Sequence, residues 1–187
     1  MQIYYPTLEA IHEQTMQLDV TQCPYCEQIH QLISHGFIYK KQPGLGVDPE
    51  AVGKRVFCSN RNQRTGCGRT IQLYLNTTIR YLHHAGRTVM AFVLSLVAGV
   101  TIQNAYEQAT GIAEPRHAYR WLNRLCAQLS TYRSLPHRPP LQQAALLSAA
   151  NRPVRLVSLL STVKGLLERF GQPLWAGYQL QLQRPFL

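Results

Sequence analysis

The sequence predicts an α+β fold: a small N-terminal β ribbon, then an all-α helix-turn-helix region, then C-terminal helices. Two observations carry this. Cysteines 23, 26, 58 and 67 bracket a segment with strand character, and from Arg87 onward the apolar period becomes that of a helix. A third, the net charge of +10 over 187 residues, sets the expected partner. A strongly basic chain expects an anionic one, nucleic acid first; the plainer alternative is a merely basic surface.

The elements follow in order. A short helix is expected near Thr7–Thr15, and Met16, Leu18 and Val20 alternate like a strand. After "CPYC", the stretch "GFIYKK" reads as a strand and "QPGLGVDPEAVG" as a turn-rich loop. "KRVFC" is then the returning strand. "TIQLYL" alternates Ile71, Leu73 and Leu75 against Thr70, Gln72 and Tyr74, the pattern of a half-buried strand. "RTVMAFVLSLVAG" is a helix stopped at Gly99. Thr101 caps the next helix, which ends at Gly111. "EPRHAYRWLNRLCAQL" is a third helix with Pro115 in its first turn. "SLPHRPPLQQ" is a Pro-rich linker to a helical pair, "LQQAALLSAA" and "PVRLVSLLSTVKGLLERF". The tail alternates Tyr178, Leu180 and Leu182 with glutamines. The expected organisation is a ribbon with a short extension over 1–80, a helix-turn-helix over 81–134, and a linker with C-terminal helices and tail over 135–187.

Charge is unevenly placed. The first 30 residues hold four acids and no lysine or arginine, whereas residues 31–87 hold nine basic residues against two acids. No secretory signal is legible at the N-terminus, and the apolar run Val89–Val100 is too short to span a bilayer. A cytoplasmic location is expected, where five cysteines mean metal ligands or free thiols rather than disulfides.

Structural zinc takes four thiolate or imidazole ligands from two tight turns. Cys23 and Cys26 have the two-residue gap of one such turn, stiffened by Pro24. A hairpin returns its end to its start, so Cys58 and Cys67 complete a four-cysteine zinc site. Gly68 fits a turn in which backbone approaches sulfur closely. The second gap, "SNRNQRTG", is eight residues instead of two, which is tolerable because loop-closure cost rises slowly with length. Alternatives are reduced structural cysteines, or a ligand set in which His30 or His35 replaces one cysteine. Cys126 reads as a packing residue on a helix. The insert carries Arg61 and Arg64, candidate phosphate contacts, although a solvated basic loop would look the same.

"YEQATGIAEPRHAYRWLNRL" supplies helix, Gly-containing turn and helix. At 100° per residue, Ala118, Leu122, Leu125 and Leu129 form one stripe with Trp121 at its edge. Arg116, Arg120, Asn123 and Ala127 form the opposite one. Arginine can bind guanine bidentately and asparagine adenine, while His117, Tyr119 and Arg124 flank this face toward phosphates. The competing reading is a helical hairpin that only packs.

"CPYC", "RVFCSNRNQRTGCGRT" and the "TG…YRWL" segment together resemble the N-terminal parts of insertion-sequence transposases and transposon-associated proteins, over about residues 20–130. The resemblance implies a zinc ribbon and a helix-turn-helix that both serve DNA binding. The eight-residue gap, and one extra residue before "RWL", depart from the usual pattern.

No catalytic role is expected. Strand transfer needs three carboxylates holding two metal ions, but the chain has nine acids and only Glu168 after Glu114. His83–His84 lacks a carboxylate to orient it and reads as a solvent-facing pair, and "GLG" lacks the lysine of a phosphate loop. The expected function is zinc-dependent binding of duplex DNA, associated with a mobile element. The alternatives are a transcription regulator of the same architecture or an adaptor that binds protein. Val154, Val157, Leu160 and Leu167 offer an apolar face for self-association or a transposase partner, or equally for packing within the chain.

Overall fold

The computed structural model describes residues 1–40, 48–80, 82, 84–135 and 153–187. The chain is α+β, and its contacts divide it into two compact units. One comprises residues 1–83 with 178–186, the other residues 84–177 with Leu187. Among the described residues, no helix is long and apolar enough to cross a membrane.

The first unit is a four-stranded sheet with one helix. Its elements are β1 (Gln2–Tyr5), α1 (Leu8–Met16), β2 (Leu32–Lys40), β3 (Glu50–Cys58) and β4 (Thr70–Leu75). The strand order is β1-β4-β3-β2. Strands β2, β3 and β4 form an antiparallel meander, and β1 adds parallel to β4 with Ile3 opposite Leu73. α1 begins where Thr7 Oγ1 accepts the amide of Ala10 at 3.1 Å. It lays Ile11 on the sheet face made by the alternating residues Val56, Ile71 and Leu73, with Leu18, Leu32, Cys23 and Cys58 completing that core. The opposite face carries Tyr4 and Tyr74, both buried and stacked with ring centroids 6.2 Å apart.

Two sequence expectations change here. Met16–Val20 is no strand: α1 runs through Met16, a turn follows, and only Leu18 of the three apolar residues is buried. A short β1, by contrast, has no period that the first 20 residues reveal. The alternating tail is helical, forming the end of the helix Leu174–Leu182. Its glutamines explain the departure from period two. Gln179, buried, donates to the carbonyls of Asn76 and Thr78 at 2.6 and 3.0 Å. Gln183 accepts the Tyr4 amide at 2.7 Å and donates to the Tyr4 carbonyl at 3.0 Å, as a neighbouring strand would. Four residues apart, these two amides satisfy backbone groups of the edge strand β1 and of the residues that follow β4.

The second unit is helical: α2 (Gly86–Val97), α3 (Ile102–Thr110), α4 (Arg116–Ala127), α5 (Leu129–Arg133), α6 (Val154–Phe170), and the first residues of α7 (Leu174–Leu182). Gly99 and Gly111 end α2 and α3 in left-handed conformations, φ +100° and +72°. Thr101 Oγ1 caps α3 by accepting from Asn104. Four aromatics anchor the core. Phe92 meets Tyr106 and Trp121 edge-on, and Tyr106 lies 5.4 Å from Trp121, with Tyr132 fully buried beyond. The expected third helix is α4, with Pro115 at its cap position, and a short further helix, α5, follows it after Gln128. His84 is half-buried rather than fully solvent-facing, its ring packed edge-on against Trp121 at 5.2 Å. His83, the loop 41–47, most of the Pro-rich linker and the expected helix 141–150 lie outside the described residues. α6 turns Leu156, Leu159, Leu160, Val163, Leu166 and Phe170 inward. Of the expected stripe only Leu160 is buried; Val157 and Leu167 are half-buried and Val154 is 86% exposed.

Candidate metal centre

Cys23 and Cys26 sit in a turn between α1 and β2, and Cys58 ends β3. The turn after Cys23 closes by local hydrogen bonds: Glu27 N donates to the Cys23 carbonyl, and Cys23 N to the Gln28 carbonyl, each at 2.9 Å. Glu27 takes φ +60° to achieve this. On the other side, Cys58 N donates to Arg69 O and Gly68 N to Cys58 O, both at 2.9 Å, which continues the β3–β4 ladder past its end. Cys67 N donates to Cys58 Sγ at 3.3 Å.

The four sulfurs converge. All lie within 4.8 Å of one another, with Cys23–Cys67 at 3.8 Å and Cys26–Cys58 at 3.6 Å. A tetrahedron of thiolates around an ion at about 2.3 Å has sulfur–sulfur edges of about 3.8 Å. These two edges fit that figure and are far too long for a disulfide bond of about 2.05 Å. The group Cys23, Cys26, Cys58 and Cys67 could hold a metal ion. Neither histidine takes part: His30 directs Nδ1 to Asp19 at 3.3 Å, and His35 lies edge-on to Phe57. Cys126 is half-buried on α4.

The cysteines differ in electrostatics. A backbone hydrogen bond from Gln28 pulls the Cys26 thiol down to about 7, against the opposing effect of burial. Burial pushes Cys58 up to about 12, against a hydrogen bond from the Cys67 backbone. Four thiolates this close repel strongly unless a cation sits among them. Arg69 stacks its guanidinium on Tyr25, between Cys23 and Cys26, at 4.8 Å from the ring centroid.

The glycine assignment shifts by two residues. Gly68 takes φ +72°, but the close approach to sulfur is made at Gly66. A Cβ there would stand 2.6 Å from Cys58 Sγ and 2.4 Å from the Ser59 carbonyl. The signal was legible: Gly66 directly precedes the last ligand.

The eight-residue insert is a clamp. Its residues bond back to the segment following the first cysteine pair. Arg64 donates to the His30 carbonyl at 2.6 Å, Thr65 N to Gln31 Oε1 at 3.1 Å, and Ser59 N to Gln31 O at 2.8 Å. Asn62 and Gln63, both at positive φ, turn the tip. Arg64 therefore commits one donor to structure while its side chain stays exposed, and Arg61 is exposed at the tip. Gln28 and Gln31, absent from the expected site, receive this clamp.

On α4, Ala118, Trp121, Leu122 and Leu125 are buried, while Arg116, Arg120, Asn123 and Arg124 are exposed together with His117 and Tyr119. Arg116 pairs with Glu114 at 3.2 Å on the surface. Compared with known proteins, the chain matches no family model, no curated protein and no solved structure.

Proposed function

We propose that this protein is a non-enzymatic, zinc-dependent binder of duplex DNA, associated with a mobile element. The observation that carries the reading is the exposed face of α4. Arg116, Arg120 and Asn123 stand opposite a buried apolar stripe with Arg124 at their flank, and a turn of five residues separates them from α3. That is the order and polarity of a helix that enters a major groove. Arginine and asparagine are the side chains whose paired donors and acceptors match guanine and adenine edges. The net charge of +10 supports an anionic partner.

Zinc is the ion best suited to four thiolates at the observed spacing, and it would serve as a structural cross-link between two loops. With all four ligand positions filled by protein, such a site keeps no open position for a reacting water. The mobile-element association rests on the resemblance of the cysteine and helix segments to transposase N-terminal regions. Arg61, exposed at the tip of the clamp, is the insert's remaining candidate for a phosphate, and Arg64 contributes only its uncommitted donors.

Titrating the full-length protein against labelled duplexes of random and enriched sequence, over a range of salt, tests this. Affinity should fall steeply with salt, and Arg116→Ala with Arg120→Ala should lower discrimination between sequences by tenfold or more, about 1–3 kcal/mol per lost base contact. Salt-independent or undetectable duplex binding would sink the reading.

A further inference from the structure

The outward side of α1 is exposed and carries both apolar and acidic groups. Ile11 faces the sheet, so Glu9, Glu13 and Met16, spaced at i, i+4 and i+7, share the opposite side, and all three are exposed. The surface continues past the helix end. Val20 N donates to the Gln17 carbonyl at 3.2 Å and His30 N to the Asp19 carbonyl at 3.0 Å, which brings Ile29 beside Val20. Met16, Val20 and Ile29 are 74%, 71% and 50% exposed. Large apolar side chains exposed singly need no account, but three on adjoining backbone form a patch.

The rim of the patch is acidic. Glu9, Glu13, Asp19 and Glu27 are exposed, and residues 1–30 hold no lysine or arginine. Asp19 meets His30 at 3.3 Å. Lys54 donates to Thr15 Oγ1 at 3.2 Å, on the side of α1 nearer the sheet. Such a rim repels phosphate, so the patch fits a cationic protein surface that has apolar groups of its own.

The second unit presents a surface of that kind. α4 exposes Arg116, Arg120 and Arg124. Beside them stand Tyr119, 53% exposed, and Ile112 in the preceding turn, 45% exposed. The spacings match. Laid antiparallel on α4, α1 sets Glu13 opposite Arg116 and Glu9 opposite Arg120, one turn apart on both helices. Met16 then meets the turn that holds Ile112, with Val20 just beyond. Arg116 gives up only a surface pair with Glu114, which is worth little in water.

We infer that the side of α1 bearing Glu9, Glu13 and Met16 docks on the α4 face of a second copy of this chain. Exchanged reciprocally between two copies, the contact uses each surface once. It covers the face read as duplex-binding, so self-association and DNA exclude each other, and only that exclusion rests on the duplex reading.

The test uses the full-length, metal-loaded protein in sedimentation-velocity runs from about 1 to 100 μM, the range of a small interface with few anchors. Native protein should associate as its concentration rises, and raising salt from about 0.05 to 0.5 M should weaken this about fivefold or more. Glu9→Lys with Glu13→Lys should weaken it at least about tenfold, as should Arg116→Glu with Arg120→Glu, because like charges then face each other. An equal mixture of the two double variants should recover it, since every contact between them joins opposite charges. Met16→Ser should weaken it about tenfold through lost apolar burial alone. All substituted residues are exposed, so each variant should keep the fold, as checked by circular dichroism and metal content. Duplex DNA added to the native protein should dissolve the assembly. The inference is overturned if native protein stays monomeric throughout, if either double variant associates as native protein does, or if their mixture fails to recover association. A duplex that binds while the assembly persists would overturn the placement on α4. Association and recovery without any duplex binding would defeat the duplex reading and leave this one standing.

Discussion

The cysteine end of the first unit and the aromatic core of the second are held together by different forces. Around Cys23–Gln31 and Cys58–Arg69, order comes from backbone hydrogen bonds, positive-φ turns and four converging sulfurs, with Cys67 exposed and few large side chains buried. Around α2, α3 and α4 it comes from Phe92, Tyr106 and Trp121, all buried and in mutual ring contact. A loop cluster of the first kind depends on an ion to offset thiolate repulsion and chain entropy. A core of the second kind needs only the exclusion of water.

The largest effect should come from the ion. Freshly purified protein should contain zinc, and chelation or Cys58→Ser should abolish amide-exchange protection over 23–31 and 58–69 while α4 stays protected, read by hydrogen-exchange mass spectrometry. Unchanged protection of the cysteine segments would break the comparison. Next, Trp121→Ala should lower the stability of the helical unit by about 3–5 kcal/mol, with metal content unaltered, read by urea unfolding and metal analysis. Loss of metal in that variant would show that the two forces are not separable by region. The smallest effect concerns the first unit's other sheet face. Burial raises the Tyr4 phenol to about 12 from an ordinary 10.0, with Arg80 opposing. The neutral phenol is therefore favoured by folding. That contribution is fully present below pH 10 and is lost as pH rises toward 12. An alkaline titration of thermal stability should show a decline beginning near pH 10, at most about 2 kcal/mol, that Tyr4→Phe reduces. A flat profile would mean that the face is not held by burial.

These regions also differ in how readable they were. The α3–α4 pair was legible because its rules are local: Thr101 and Gly111 mark ends, and the 3.6-residue period of Ala118, Leu122 and Leu125 fixes the buried side. The cysteine set was legible because ligand chemistry restricts residue type, and a hairpin brings its ends together. What escaped was nonlocal. β1 is four residues long, too short for a period, and exists through its pairing with β4. The alternation of Tyr178, Leu180 and Leu182 in the glutamine tail does not reveal its helix, in which Gln179 reaches, with Gln183 just beyond, backbone groups more than 100 residues earlier in the chain. Arg64, a candidate phosphate contact, also donates to the His30 carbonyl, a partner that its place in the sequence does not reveal.

The sequence by itself determined the helix boundaries around Gly99, Thr101 and Gly111, the identity of four candidate ligands, and the polarity of α4. Each depends on side-chain chemistry or backbone preference acting within a few residues. Only tertiary structure decided that the four sulfurs meet at 3.6–3.8 Å in two pairs. It also decided that Gly66 carries the close approach and that the long insert is a clamp. Those outcomes depend on strand register and on loops folding onto distant backbone, and no local pattern encodes which carbonyl or ring a side chain will meet.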